Sequence, residues 1–212
     1  MKLTILYDNT VFEPGLHADW GFSCLVETDN KHILFDTGTK GHLLLENMKK
    51  LSISPSVVDE IFISHNHFDH IGGLSEFLYH NHDVNIYLPP SLRGVHGANQ
   101  VIFADHPMQI HENVFTTGEL ENIEQAMVVS TPKGLVLVVG CSHPDMEIIL
   151  NTALQFGKLY GIIGGLHGFD KYHLFKGLEL ICPTHCTRYI QELKSLYPEK
   201  YIEGGAGKTI EI

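Results

Sequence analysis

Apolar residues in this chain fall into short runs bounded by glycine, proline, asparagine or aspartate. Runs rich in β-branched and aromatic residues predict strands. They lie at 2–7, 22–27, 32–35, 60–64, 83–88, 114–118, 126–130, 134–139, 159–163, 178–182, 200–203 and 208–212. Two hairpins are predicted, one turned at Asp29-Asn30 and one at Pro132-Lys133. The segment 91–111 has weak periodicity and is predicted to be irregular.

Helical spacing of apolar residues is typical of four other segments. They are 41–51, 71–80, 145–156 and 187–196. Strands in both halves with helices between them predict an α/β (α+β) fold in which two packed sheets are flanked by helices. A length of 212 residues is that of one domain, so we expect a single domain over 1–212.

Composition limits the classes of binding partner and the cellular compartment that we expect for this protein. Fourteen Lys and Arg against 25 Asp and Glu give a net charge of −11, which argues against sequence-blind nucleic-acid binding. The negative charge does not exclude a small phosphorylated substrate, because a cationic metal centre overcomes the local repulsion between acidic residues and a phosphate. The N-terminus lacks the pattern of a signal peptide, and no apolar run reaches the ~20 residues of a membrane helix. With four scattered cysteines, we expect a cytoplasmic protein with no membrane partner.

The residues after the predicted strand at 60–64 form the strongest candidate site. Four possible metal ligands lie within the six residues 65–70: His65, His67, Asp69 and His70. Extended residues two apart point the same way, so His65 and His67 can face one metal ion. Asp69 and His70 come where the chain turns toward a helix and face a second point. Imidazole and carboxylate ligands suit zinc, iron, manganese or nickel.

Three further strands end in small or turn residues followed by a histidine. These histidines are His143, His167 and His185. Four ligands in one loop cannot enclose a two-metal centre, and ends of neighbouring strands meet at one edge. We therefore predict His143 and His185 as ligands, with His167 close to the metals.

The motif His-x-His-x-Asp-His at 65–70 resembles the signature of the metallo-β-lactamase-fold hydrolases, and Asp36-Thr37-Gly38 after a strand resembles a second landmark of that superfamily. Three later motifs are similar to one branch, that of 7,8-dihydropterin-6-methyl-4-(β-D-ribofuranosyl)aminobenzene-5′-phosphate synthase. They are Gly-Cys-Ser-His-Pro at 140–144, Gly-Gly-Leu-His at 164–167 and Pro-Thr-His-Cys-Thr at 183–187. The resemblance covers roughly 10–190 and implies a four-layer αββα sandwich. It also implies longer relatives, with an insertion near 91–105.

The resemblance implies a metal-dependent hydrolase. Its cofactors would be two divalent transition metal ions, zinc in the first place, with iron, manganese and nickel as alternatives. The first metal would be held by His65, His67 and His143, and the second by Asp69, His70 and His185. A metal-activated hydroxide would attack an ester, a phosphoester or a related small molecule, pterin- or phosphate-containing substrates included.

Three supporting roles go with this assignment. Asp69 would also orient the hydroxide or move its proton. Asp36 would buttress the ligand loop from behind. His17 is a candidate substrate contact or general acid.

The residue that bridges the metals is left open, because the carboxylate usual in the superfamily is not obvious. Either His167 takes that place, or the strand at 136–143 is itself the bridging motif and an acid such as Glu119 enters earlier. Cys141 is the third candidate, although a thiol at a strand end is usually a packing residue. An iron-dependent redox enzyme on the same fold and a non-catalytic metal-holding binding protein are the alternative functions. The oligomeric state is open too, a homo-oligomer included.

Overall fold

Two mixed sheets form the centre of the computed structural model, which describes residues 1–28 and 30–212. The strands of the first sheet are β1 (Lys2–Tyr7), β2 (Ser23–Glu27), β3 (His32–Phe35), β4 (Glu60–Phe62), β5 (Asn85–Leu88), β6 (Gln100–Phe103) and β13 (Thr209–Glu211). Their order across the sheet is β13-β1-β2-β3-β4-β5-β6.

The second sheet contains the strands of the middle and the last third of the chain. They are β7 (Met108–His111), β8 (Val114–Thr116), β9 (Met127–Thr131), β10 (Gly134–Val139), β11 (Leu159–Gly165) and β12 (Leu180–Thr184). Their order is β12-β11-β10-β9-β8-β7.

Helices cover the outer face of each sheet. The α-helices are α1 (Gly41–Lys50), α2 (Phe68–Ile71), α3 (Leu74–His80), α4 (Met146–Ala153) and α5 (Ile190–Leu196). Short 3-10 helices lie at Pro55–Val57, Leu154–Phe156 and Tyr172–Phe175. No helix within the described ranges is long and apolar enough to cross a membrane.

Alternating side chains of each strand enter different apolar layers, as the period of two of a strand requires. Val136 and Val138 of β10 pack in the cluster between the sheets, which also holds Leu3 and Ile5 of β1. Leu135, Leu137 and Val139 face α4 and α5 instead. A third cluster joins the outer face of the first sheet to α1 and α3. The layers are therefore helix, sheet, sheet, helix, which confirms the predicted αββα sandwich.

The parallel parts of the two sheets place several strand ends at one edge. Strands β3, β4, β5 and β6 run parallel, and so do β10, β11 and β12. Strand β1 points the same way as β3, because each is antiparallel to β2. In open sheets the crevice beyond the carboxyl ends of parallel strands is the usual place for a ligand site. The loops that leave these ends carry the predicted ligands.

Most predicted elements are present, with three corrections. The predicted hairpin of β2 and β3 is present. One residue of its predicted turn, Asp29, lies outside the described residues. The helix predicted at 71–80 is two helices, α2 and α3, separated at Gly72-Gly73. A Cβ there would collide with the carbonyl oxygens of Thr39 and Thr37.

The other two corrections concern sheet edges. The segment 91–111 is not irregular throughout, because it contains β6 and β7, the edge strands of the two sheets. The strand predicted at 200–203 is wrong. That segment makes only one isolated bridge, between Tyr201 and Ile181.

Candidate metal centre

Three histidine rings meet at the edge where β4 and β10 end. Nε2 of His65 lies 3.0 Å from Nδ1 of His67, and Nε2 of His143 lies 3.1 Å from the same atom. His65 and His67 follow β4, while His143 comes from the loop after β10. The structure therefore brings together the three residues predicted for the first metal.

A second group of three lies beside it. Oδ2 of Asp69 is 3.2 Å from Nε2 of His185 and 3.9 Å from Nε2 of His70. Asp69 and His70 lie in α2, and His185 directly follows β12. The rings of His65 and His70 are 4.2 Å apart, so the two groups adjoin. These are the residues predicted for the second metal, and their role as ligands stays a prediction.

Left-handed backbone conformations follow several of the strands that carry the site. Asp36 has φ 54°, Ser142 φ 59°, His167 φ 45° and His185 φ 50°. Non-glycine residues rarely adopt such values, and they persist where the surrounding structure determines them. Here they turn the chain sharply at the sheet edge, so that side chains face the site at once.

Hydrogen-bond partners fix the orientation of three rings. Nδ1 of His70 lies 2.7 Å from Oδ2 of Asp36, and Nδ1 of His185 lies 3.0 Å from Oδ1 of Asn9. Nδ1 of His65 lies 2.9 Å from the hydroxyl of Ser64, which itself donates to Asp36. Each Nδ1–H is thus committed to an oxygen, and the Nε2 lone pair faces the centre. This is the arrangement of metal-binding histidines.

A buried carboxylate supports the loop that carries His143. Oε1 of Glu124 accepts backbone N–H groups of Gly140, Cys141 and Ser142 at 3.0, 2.9 and 3.1 Å. Oε2 accepts the N–H of His143 at 2.9 Å. Four consecutive amides therefore point at one side chain, which fixes the loop. Burial raises the pKa of Glu124, and the amide hydrogen bonds act against that rise.

Burial lowers the pKa of three of the rings, and neighbouring histidines add to the effect. Burial, followed by the neighbouring histidines, lowers the pKa of His65 and lowers that of His143 to about 4. Burial also lowers the pKa of His185. Neutral imidazole is the form that binds metal.

The acidic side of the site behaves differently. Burial acts to raise the pKa of Asp69, but His185 and His70 outweigh it, so the pKa is lowered and the group is ionised. For His70, burial acts to lower the pKa, and the carboxylate of Asp36 outweighs it and raises the value. The charge of Asp36 therefore favours a positive charge at His70, whether a proton or a cation.

One buried atom tests whether the site fits a cation. Nε2 of His185 has no hydrogen-bond partner among the described residues, although Oδ2 of Asp69 lies 3.2 Å away. A buried polar atom without a partner is costly. A cation between the ring nitrogen and the carboxylate would satisfy both. The donor set of imidazoles and one carboxylate fits divalent transition metals.

Trp20 lies at the rim and touches the second group. Its indole N–H donates to Oδ2 of Asp69 at 2.8 Å, and its ring centroid is 5.1 Å from that of His185. The side chain is 58% exposed, although it is the largest apolar side chain in the protein. Trp20 therefore both orients the carboxylate and presents an aromatic surface to solvent.

The other predicted site residues lie in different places. His167 is exposed, and its ring centroid lies 5.1 Å from that of His143. Oε1 of Glu119 accepts the N–H of Ser91, away from the histidines. His17 contacts Glu46 and Lys50 at 3.0 and 2.8 Å. Its role as substrate contact or acid stays a prediction.

Sequence reasoning missed Glu124 and the pair Asp8-Asn9. The N–H of His185 donates to Oδ1 of Asp8, and the side-chain amide of Asn9 donates to the carbonyl of His185. The register of the predicted hairpin at Pro132-Lys133 could have indicated the position of Glu124. The predicted turn at Pro132-Lys133 sets a register that pairs Met127 with Val138. Continued by three residues, that register brings position 124 opposite position 141.

Two clefts flank the groups. One of about 320 Å³ is lined by His143, His167 and Lys171, among others. The other, of about 450 Å³, has Asp8, His185 and Lys194 in its lining. Both volumes fall in the range of small-molecule sites, ~300–1,000 Å³.

Comparison with known proteins identifies the fold. A family model described as the metallo-beta-lactamase superfamily matches residues 21–124, which include the motif at 65–70. A solved metal-dependent hydrolase of the β-lactamase superfamily superimposes with a TM-score of 0.81, at 23% identity, over 100% of this chain and 99% of that one. The chain has the metallo-β-lactamase fold. Human tRNase Z, short form, shares the metallo-β-lactamase fold at a TM-score of 0.69 and 15% identity, over 100% and 99% of the two chains.

Two archaeal relatives match along the whole chain. The 7,8-dihydropterin-6-methyl-4-(beta-D-ribofuranosyl)-aminobenzene-5′-phosphate synthase of Methanocaldococcus jannaschii is 27% identical over 281 residues, 98% of this chain and 95% of the relative. An uncharacterized protein of the same organism is 27% identical over 261 residues, 99% of this chain and 100% of the relative. Both alignments are longer than the 212 residues of this chain. These two relatives therefore contain residues that this chain lacks.

Proposed function

We propose that the protein is a metal-dependent hydrolase that cleaves an ester, a phosphoester or a related bond in a small molecule. The observation that carries the proposal is the pair of adjoining three-residue groups at one sheet edge, His65, His67, His143 and Asp69, His70, His185. Within each group the ligand atoms lie within 4.8 Å of one another. Zinc is the preferred metal, with two ions in the site.

Bound divalent cations supply a hydroxide at neutral pH, because they lower the pKa of water from about 15.7 to ~7, and they stabilise negative charge on substrate oxygens. The protein's own side chains orient the reacting water. Asp69 is ionised and is held by the indole N–H of Trp20. Its carboxylate can therefore accept a hydrogen bond from the attacking water and orient it.

The substrate class follows from the rim of the site. The two clefts beside His143 and His185 have the volume of a small-molecule site. The exposed ring of Trp20 favours a substrate with a planar ring, because such a ring stacks on an aromatic face. The name of the archaeal relative contains a pterin, an aminobenzene and a 5′-phosphate. We therefore propose aromatic or heteroaromatic phosphoesters as the first substrates to test.

The test is hydrolysis of aryl phosphomonoesters, phosphodiesters and carboxylic esters by purified protein. Activity is expected with zinc, manganese or iron, lost with chelator and restored by added metal. His67→Ala is expected to lose at least ~100-fold in kcat/KM, because the loss of even a supporting partner of a metal ligand costs about 10–100-fold.

His82→Ala is the matched control. His80 and His82 repeat the His-x-His spacing at the C-terminal end of α3, and both are exposed. This variant is expected to keep full activity. Equal activity in the presence of chelator, or equal activity of the two alanine variants, would contradict the proposal. Anaerobic metal analysis that found only iron, together with redox turnover, would favour the redox alternative.

A further inference from the structure

We propose that Cys141 supplies a thiolate ligand between the two histidine groups. This inference rests on the proposed metal centre and adds a ligand to it. It concerns a residue whose side chain would otherwise be a packing thiol at a strand end.

The position of the sulfur carries the argument. Sγ of Cys141 lies 3.2 Å from Nε2 of His70, whose other nitrogen is already bonded to Asp36. Sγ lies within 4.8 Å of ligand atoms of both His65 and His70, and also of His185 and Cys186. His65 belongs to the first group, whereas His70 and His185 belong to the second. Cys141 is therefore close to ligands of both groups at once.

The two other candidates lie further from that point. Glu119 is engaged by the backbone of Ser91, and it is not among the described side chains that cluster with the histidines. His167 is exposed, its ring centroid lies 5.1 Å from that of His143, and it is not among the described side chains that cluster with His65 and His70. Neither lies between His65 and His70.

The backbone around Cys141 is held in place as a ligand loop requires. The N–H of Cys141 and both neighbouring amides bond to the buried carboxylate of Glu124. The next residue, Ser142, has φ 59° and donates its hydroxyl to the carbonyl of Gly165. One rigid turn therefore presents both Cys141 and His143, and the two side chains are placed together.

Binding of the Cys141 thiol to a metal ion needs no further reactant. A thiol that meets a divalent cation releases its proton to solvent, and the sulfur lone pair forms the bond to the metal. Thiolate is a preferred ligand of zinc, at a Zn–S distance of ~2.3 Å, so the mixed imidazole, carboxylate and sulfur set favours zinc over manganese.

X-ray absorption spectroscopy of the zinc-loaded wild-type protein tests this without any substitution. One sulfur scatterer at ~2.3 Å is expected, together with nitrogen and oxygen at ~2.0–2.1 Å. Bound zinc with nitrogen and oxygen neighbours alone would overturn the inference and leave the proposed hydrolase intact. Failure of the protein to bind zinc at all would overturn both.

Cobalt substitution identifies the sulfur. Cobalt-loaded wild-type protein is expected to show a thiolate-to-metal absorption band in the near ultraviolet. Cys141→Ser is expected to lose that band while it keeps the visible bands of bound cobalt. The matched control, Cys186→Ser, is expected to keep it, since Cys186 adjoins His185 but not His65. A band that survives in Cys141→Ser, or that disappears in Cys186→Ser, would contradict the assignment.

Discussion

Nδ1 of His70 lies 2.7 Å from Oδ2 of Asp36, and neither side chain has any exposed surface. The same carboxylate accepts the backbone N–H and the hydroxyl of Ser64, both at 2.7 Å. Ser64 in turn contacts Nδ1 of His65. Asp36 therefore orients one histidine of each group, which agrees with its predicted role behind the ligand loop.

Asp36→Asn is expected to weaken metal binding by ~10–100-fold, as losses of such supporting partners do. An amide has one acceptor oxygen in place of two, so either His70 or Ser64 loses its partner. Competition with a chromophoric chelator measures the affinity. Asp83→Asn, at an exposed position, is the control and is expected to bind metal like wild type. Equal affinity of the two variants would contradict the role of Asp36.

Glu124→Gln is expected to lower the free energy of unfolding by about 1–3 kcal/mol, since one of four buried amides loses its acceptor. Because the loop also carries His143, metal affinity should fall with it. Urea unfolding and metal titration check both quantities. In Glu119→Gln the amide oxygen can still accept the N–H of Ser91, so this control should unfold like wild type. If both variants unfold alike, Glu124 does not hold the loop.

Trp20 is the single tryptophan of the chain, and its indole touches Asp69 and His185. Its fluorescence should therefore change in intensity as zinc is added, saturate at full metal loading and return on chelation. The change reports the altered charge beside the indole N–H. Metal content measured on the same samples is the control. Full loading with no change in emission would place the metal away from Asp69.

Stability at alkaline pH depends on a tyrosine away from the metal centre. Burial, and then the nearby Glu60, raise the pKa of Tyr87 to about 12 from its ordinary 10.0. Between these values the folded state binds more protons than the unfolded state, so the free energy of unfolding falls as pH rises, by up to ~3 kcal/mol. Tyr87→Phe removes this loss.

Urea unfolding at about pH 8 and about pH 11 compares the variants. Tyr87→Phe should lose less stability between the two values than wild type does. Tyr79→Phe, at a position that is 85% exposed, should behave like wild type. The same alkaline loss in all three proteins would contradict the assignment to Tyr87.

The two histidine groups can be predicted from the sequence because each ligand belongs to a short, recognisable sequence pattern. Ligand residues directly follow apolar strands, and parallel strands end at one edge, so residues far apart in the chain meet there. Trp20 and Asn9 could not be found this way. Both lie in the loop between β1 and β2, and no periodicity specifies that this loop folds back on α2 and β12.

Edge strands explain most of the errors in the fold. Strands β6 and β7 are largely exposed or half-buried, so their side chains lack the alternation that marks a strand with one buried face. Glu124 was missed for another reason. It is a lone acid before a strand, and only the register of its hairpin shows that it faces the loop of Cys141 and His143.

The central claim is that two adjoining cations are held at this sheet edge. Anomalous diffraction from crystals of zinc-loaded protein tests it most directly. Two peaks are expected, one ~2.0–2.1 Å from the ring nitrogens of His65, His67 and His143, and one at the same distance from His70 and His185 beside the carboxylate of Asp69. Peaks confined to other positions, such as His80 and His82, or no peak at the edge, would contradict it.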